Sequence, residues 1–255
     1  MAFFKQIFGG ANSSRYYTGV ILIAIVALII ILNIKFLTWI AIGLCYIIAF
    51  SEALKLYDLE SKAYLFLSAV IMWIIAYFYD NPINIAIVML VIIASYNAYM
   101  QNVKCKDYLV ILYPSIPFLC LFGIYTKFGT MVIVWLIITV SLADVAAYFG
   151  GKAFGKSPLS PVSPKKTLEG ALIGLVVATL AGTIFAYMIK QGFVVSFFIS
   201  LFVALISIFG DLFESMLKRN ANLKDSGNIL PGHGGMLDRV DGLLFASVIM
   251  LFLLD

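Results

Sequence analysis

The sequence predicts an all-α, polytopic membrane protein with about nine transmembrane helices and a cytosolic N-terminus. Three observations carry this. The chain of 255 residues is 63% hydrophobic and only 12% charged, with a mean hydropathy of +1.06, outside the range of soluble domains. Apolar runs close to the spanning length of ~20 residues recur from end to end. Basic residues cluster in alternate loops. In hydrocarbon every backbone N–H and C=O must be bonded internally, so spans of this length are helices.

The expected spans are 17–33, 36–54, 63–79, 82–100, 108–126, 129–150, 168–189, 193–216 and 239–254. The first contains the run Val20–Leu32, with no small-residue cleavage pattern after it, and so is expected to stay in the mature chain. The second carries Glu52, the one intramembrane acid expected in the first half. Asn81-Pro82 marks the turn between the third and fourth. Pro114 and Pro117 should kink or break the fifth, because proline lacks an N–H and clashes with the preceding turn. Eight spans with a re-entrant piece near Pro114 is the competing arrangement. The last span is short and calls for tilted neighbours or a thin bilayer. The segment Ser157–Pro164 has proline at every third residue (Pro158, Pro161 and Pro164), which predicts an extended, stiff connector. Two regions follow: residues 1–128 as an N-terminal transmembrane region (spans one to five) and 129–255 as a C-terminal one (spans six to nine) that carries most of the unusual polar residues.

Placed between these spans, every lysine and arginine except Lys35, Lys127 and Lys190 falls on one side. The positive-inside rule makes that side cytosolic. The cysteines Cys45, Cys105 and Cys120 lack metal-ligand spacing, and Cys45 and Cys120 fit as buried apolar fillers.

The polar residues concentrate in the second half. Asp211, Glu214, Ser215 and Lys218 share one helical face, and Asp238 and Asp241 share another at the start of the last span. Adjacent spans eight and nine would bring these carboxylates together, either on a hard cation such as Mg²⁺ or in an ion-pair network with Lys218, Arg219 and Arg239. Between them lies Pro231-Gly-His-Gly-Gly235, holding the only histidine, His233; its glycines would let backbone N–H groups approach an anion. Asp144, Tyr148 and Lys152 form a third group on one helical face. Lys165 and Lys166 precede a helix whose first turn would hold Thr167 and Glu169, a suitable anion site. Lys152 and Lys156 fit better as contacts to anionic headgroups.

The stretch from Ser215 to Asp241 resembles the signature of the phosphatidate cytidylyltransferase (CDP-diacylglycerol synthase) family. Ser215, Lys218, Arg219, Lys224, Asp225, Gly227, Leu230, Pro231, His233, Gly234, Gly235, Asp238, Arg239 and Asp241 all fall in register. Gly210-Asp211, Asp144 with Ala147-Tyr148, and Ser163-Pro-Lys-Lys-Thr167 with Glu169-Gly170 are similar to the family's other motifs. The close match covers about a fifth of the chain, all in its second half.

The resemblance implies a polytopic enzyme of phospholipid synthesis, often a dimer, that converts CTP and phosphatidate into CDP-diacylglycerol and pyrophosphate. The cofactor expected is Mg²⁺, alone or with a second, monovalent cation, and the partners are CTP, phosphatidate and membrane lipid, with no nucleic acid. Asp211 and Asp238 are the metal ligands it implies, with Asp241 and Asp144 nearby. Lys218, Arg219 and Arg239 would neutralise phosphates and the His233 loop would position one. Lys165 and Lys166 would complete the anion site, with Ser215, Lys224, Gly234 and Gly235 alongside as substrate contacts. The rival readings are an ion-coupled membrane transporter, suggested by intramembrane Asp144 and Asp211, and a CTP-dependent enzyme acting on another lipid phosphate.

Overall fold

The computed structural model describes residues 13–60, 62–79, 81–101, 105–229 and 234–255. Among them the chain forms nine helices: α1 (Ser13–Leu32), α2 (Lys35–Leu56), α3 (Ala63–Phe78), α4 (Pro82–Tyr99), α5 (Lys106–Phe128), α6 (Thr130–Phe154), α7 (Leu168–Met188), α8 (Phe193–Asn220) and α9 (Leu237–Leu254). The expected spans fall on these helices within a few residues at most ends. Helices α2, α4, α5, α6, α7 and α8 are long and apolar enough to cross a membrane. The described part of the chain is thus an all-α, multi-span architecture. Helix α9 differs because Asp238, Arg239 and Asp241 occupy its first turns.

Helix α5 breaks where the prolines predict. Tyr113 takes an extended conformation (φ −138°, ψ 117°), as the residue before a proline prefers, inside a wide turn over Ile111–Ser115. The peptide bond to Pro114 is cis. The helix then resumes at Ile116 and runs to Phe128. Ser115 Oγ, inside the break, receives the hydroxyl of Tyr46 at 2.9 Å.

Polar ties define two ends of the bundle. At one end Lys62, ahead of α3, pairs with the buried Asp107 at the start of α5. The same carboxylate accepts Tyr64 at 2.6 Å and Asn97 at 3.2 Å. Glu52, at the end of α2, is bonded to the segment joining α8 to α9. At the other end Asn33 accepts the hydroxyls of Tyr125 (3.4 Å) and Thr130, and Lys127 pairs with Asp255 at 2.7 Å. The two ends of α5 therefore belong to opposite ends of the bundle.

Between these ends the helices pack on two cores. An aromatic one joins α2, α3 and α5 through Tyr46, Phe50, Trp73, Phe118 and Phe122. The second joins α5, α6, α8 and α9 through Trp135, Leu136, Val203 and Met250. Lipid tails are as apolar as leucine, so packing and polar bonds, rather than exclusion of water, hold such helices together. Trp135 Nε1–H accordingly donates to Ser200 Oγ of α8 at 3.0 Å.

Candidate active site

Small residues let α6 and α7 approach until their backbones touch. A Cβ on Gly174 would lie 2.5 Å from the carbonyl oxygen of Ala143, and one on Gly170 would lie 2.6 Å from that of Ala147. This is small-residue packing of the kind transmembrane helices use. It fixes Asp144, Tyr148 and Lys152, on α6, against the loop that precedes α7. Thr167 caps α7, its Oγ1 accepting Gly170 N–H at 3.2 Å.

That loop corrects one expectation. Residues 157–167 do not run as an extended connector. Leu159 N–H bonds to Lys166 O at 2.8 Å and Leu168 N–H to Ser157 O at 2.9 Å, folding the segment back as a compact hairpin. Prolines set the turn angles here rather than a straight rod. Glu169 holds its base by accepting the backbone N–H groups of Lys156 and Ser157 at 3.1 and 3.2 Å.

Folding back delivers Lys165 and Lys166 to a cavity of about 570 Å³. Its walls are Asp144, Tyr148 and Lys152 from α6, Lys165, Lys166 and Thr167 from the hairpin, and Ile208 and Asp211 from α8. Lys152, expected at the headgroups, lines the same cavity as the two loop lysines. Lys166 pairs with Asp211, which also receives Ser215 Oγ at 3.4 Å.

The second half of the site lies where α8 meets α9. Gly210 and Gly242 permit close contact, since a Cβ on Gly210 would sit 2.7 Å from Asp241 O. The adjacency that the sequence required is present. The acids divide their bonds among different partners. Lys218 Nζ donates to Asp238 at 2.6 Å and to Glu214 at 3.1 Å. Asp238 also accepts Ser226 N–H (2.9 Å) and Gly235 N–H (2.8 Å), and its Oδ2 lies 3.0 Å from Ser226 Oγ. Gly234 has φ +82°, and a Cβ there would press on the Asp238 carboxylate at 2.8 Å. The glycine pair thus turns its backbone toward the protein's own anion.

Glu52 is the residue that spacing did not assign. It is 2% exposed and comes from α2, yet it accepts Met236 N–H and Leu237 N–H, each at 2.9 Å, and Ser226 O–H at 3.0 Å. It serves as a remote cap for the start of α9. Its only signal in the sequence was an acid inside an apolar span.

The remaining candidates sit apart from the cavity or outside the description. Arg219 is exposed and bonds to Leu223 O at 3.3 Å, closing its own helix. Lys224 is exposed on the loop, and Arg239 is exposed at the start of α9. His233 lies outside the described residues.

No three acidic, histidine or cysteine side chains among the described residues share one metal-binding group. The donor chemistry nevertheless suits a hard cation. Asp144, Asp211 and Asp241 interact electrostatically. Glu214 Oε1 is buried without a hydrogen-bond donor. Glu214 and Asp241 are close enough for their charges to repel.

Fold and site together define a multi-span protein with a lysine-and-carboxylate cavity at one end of its bundle, suited to a polyanionic ligand. Comparison with known proteins specifies the class. Residues 13–255 match the model of the cytidylyltransferase family. The chain belongs to that family. It is 44% identical to a phosphatidate cytidylyltransferase of Helicobacter pylori over 238 residues, covering 93% of this chain and 90% of that protein. It is 30% identical to the phosphatidate cytidylyltransferase of Aquifex aeolicus over 92% of this chain and 88% of that one. A Bacillus subtilis protein of the same name matches at 43% over about half of each chain (50% and 49%).

Proposed function

We propose that this protein is a phosphatidate cytidylyltransferase, joining CTP and phosphatidate to give CDP-diacylglycerol and pyrophosphate. The observation that carries the reading is the cavity that gathers Lys152, Lys165 and Lys166 with Asp144 and Asp211 at the end of an apolar bundle. A transporter has no need of such a lysine cluster at one end, and family membership favours the enzyme. In the same reading the nine helices are nine spans, the N-terminus and the cavity face the cytosol where CTP is available, and the membrane is the cell membrane. A homodimer belongs to it too, and is checked by crosslinking in native membranes.

In the reaction a phosphate oxygen of phosphatidate attacks the α-phosphorus of CTP. The bond from that phosphorus to the bridging β-oxygen breaks, and pyrophosphate leaves with the oxygen. Phosphomonoesters lose their second proton near pH ~6, so the nucleophile arrives deprotonated and no strong base is required. The obstacle is the mutual repulsion of two polyanions. Lys165, Lys166 and Lys152 would neutralise and orient the triphosphate, Lys166 exchanging Asp211 for a phosphate oxygen. Lys218 would neutralise a phosphate in exchange for one of its bonds to Asp238 and Glu214. Bound Mg²⁺ would supply further charge neutralisation and polarise the α-phosphate. Asp211 and Asp241, with Asp144 alongside, are the acids that would hold it; Asp238 joins them only by giving up its bonds to Lys218, Ser226 and Gly235. Helices already in contact would hold both reactants in place, so that positioning adds to the electrostatic stabilisation.

The test is pyrophosphate release by purified protein in lipid-containing micelles with CTP, phosphatidate and Mg²⁺. Release is expected only when all three are present. Turnover of another lipid phosphate in preference to phosphatidate would move the assignment to a sibling reaction.

A further inference from the structure

We infer that Glu52 is a positioning residue for the reaction: acting from α2, it sets the loop that orients Asp238 and Lys218. This rests on the cytidylyltransferase reading for its kinetic consequences but not for its geometry. Glu52 lies in the half of the chain that contributes nothing to the lysine cavity. Its carboxylate is enclosed by the segment joining α8 to α9. Oε1 accepts Met236 N–H and Oε2 accepts Leu237 N–H, both at 2.9 Å, so the start of α9 is held by two amides. Backbone wraps the carboxylate so closely that no side chain fits. A Cβ on Gly235 would lie 2.7 Å from Oε1, and one on Gly227 would press on the same carboxylate group.

Ser226 converts this anchor into control of the site. Its Oγ lies 3.0 Å from Glu52 Oε2 and 3.0 Å from Asp238 Oδ2. A hydroxyl carries one proton and can donate to only one of them at a time. The same residue also gives its N–H to Asp238 at 2.9 Å. Glu52, Ser226 and Asp238 are therefore linked in series, and Asp238 in turn holds Lys218 at 2.6 Å. The chain of contacts runs from a helix of the first half to Lys218, proposed above to neutralise a phosphate.

Three variants test this: Glu52→Gln, Ser226→Ala and the double variant. Glutamine keeps the shape but points an NH₂ group at a backbone N–H. The expected result for Glu52→Gln is a fall in kcat of about 10–100-fold per monodisperse molecule, as sub-ångström to ångström misplacement gives. KM for CTP should change less than threefold, because the cavity lysines are untouched. The double variant should be little worse than Glu52→Gln alone, since both act through one link. A merely structural role would lower the yield of folded protein and leave kcat of the folded fraction unchanged. That outcome, or losses that multiply in the double variant, overturns the proposal. Hydrogen exchange supplies an arm independent of activity. The amides of Met236 and Leu237 should exchange at least tenfold faster in Glu52→Gln, and unchanged exchange also overturns it. If the wild type transfers no cytidylyl group while those amides respond, the functional reading fails and the anchor stands.

Discussion

Lys166 and Asp211 neutralise each other across the lysine cavity, and this shapes what single substitutions do there. Removing either partner leaves the other as a partly buried, uncompensated charge. Asp211→Asn is expected to cut kcat by about 10²–10³-fold, the scale for losing one electrostatic element of a phosphoryl-transfer site, with insertion into membranes intact. Steady-state kinetics on purified protein checks it, and near-normal turnover would remove Asp211 from the site. Lys127→Ala makes the contrast. Its bond to Asp255 is solvent-exposed at both partners (29% and 44%), so the variant should lose less than about 1 kcal/mol of stability and no activity. Gly235→Ala belongs at this scale as well. Its Cβ would collide with Ser226 and Glu52, and overpacking of this kind costs about 1–3 kcal/mol. A lower melting temperature together with reduced turnover is the expected result.

At the scale of elements, the decisive contact is α6 against α7. The alanines and glycines Ala143, Ala147 and Gly151 meet Gly170 and Gly174 with no room for a side chain. Gly174→Leu should separate the two helices, widen the distance between Asp144 and Lys166, and abolish activity even though no polar residue changes. A folded Gly174→Leu protein with unimpaired turnover would show that this packing does not build the cavity. Much of this level was legible in the sequence. Helix positions followed from apolar runs, and the break in α5 followed from Pro114, because both depend on neighbours in the chain. The grouping of Lys165 and Lys166 with the Thr167 cap was legible for the same reason, these residues being consecutive. The hairpin at 157–167 was not, since proline spacing constrains backbone angles but cannot reveal the pairing of Leu159 with Lys166. Glu52 was visible only as an anomaly, because its donors lie at least 174 residues away. The partition of the acids was hidden too: helical spacing put Asp211 and Lys218 on one face, but not that Lys166 takes one and Asp238 the other.

For the whole molecule, the polar ties sort the ends of the helices into two sets without reference to charge. Glu52, Lys62, Asp107, Lys166 and Lys218 lie in one set, and Asn33, Lys127 and Asp255 in the other. The division agrees with the one made by the basic residues. Cys105 offers a direct check of which set faces the cytosol. It is exposed beside Lys106, whereas Cys120 is buried and Cys45 half-buried. A membrane-impermeant thiol reagent should label Cys105 in inside-out vesicles and leave it unlabelled in spheroplasts, with Cys45→Ser and Cys120→Ser as background substitutions. Labelling from the opposite side alone would invert the topology.

The long reach of Glu52 also bears on how the protein is made. Its carboxylate leaves the ribosome well before Met236 and Leu237, 184 and 185 residues later, can cap it. Until α9 inserts, the nascent chain carries an unsatisfied acid near hydrocarbon, at a cost of several kcal/mol. A chain that stops before its last helix lacks both amide donors to Glu52.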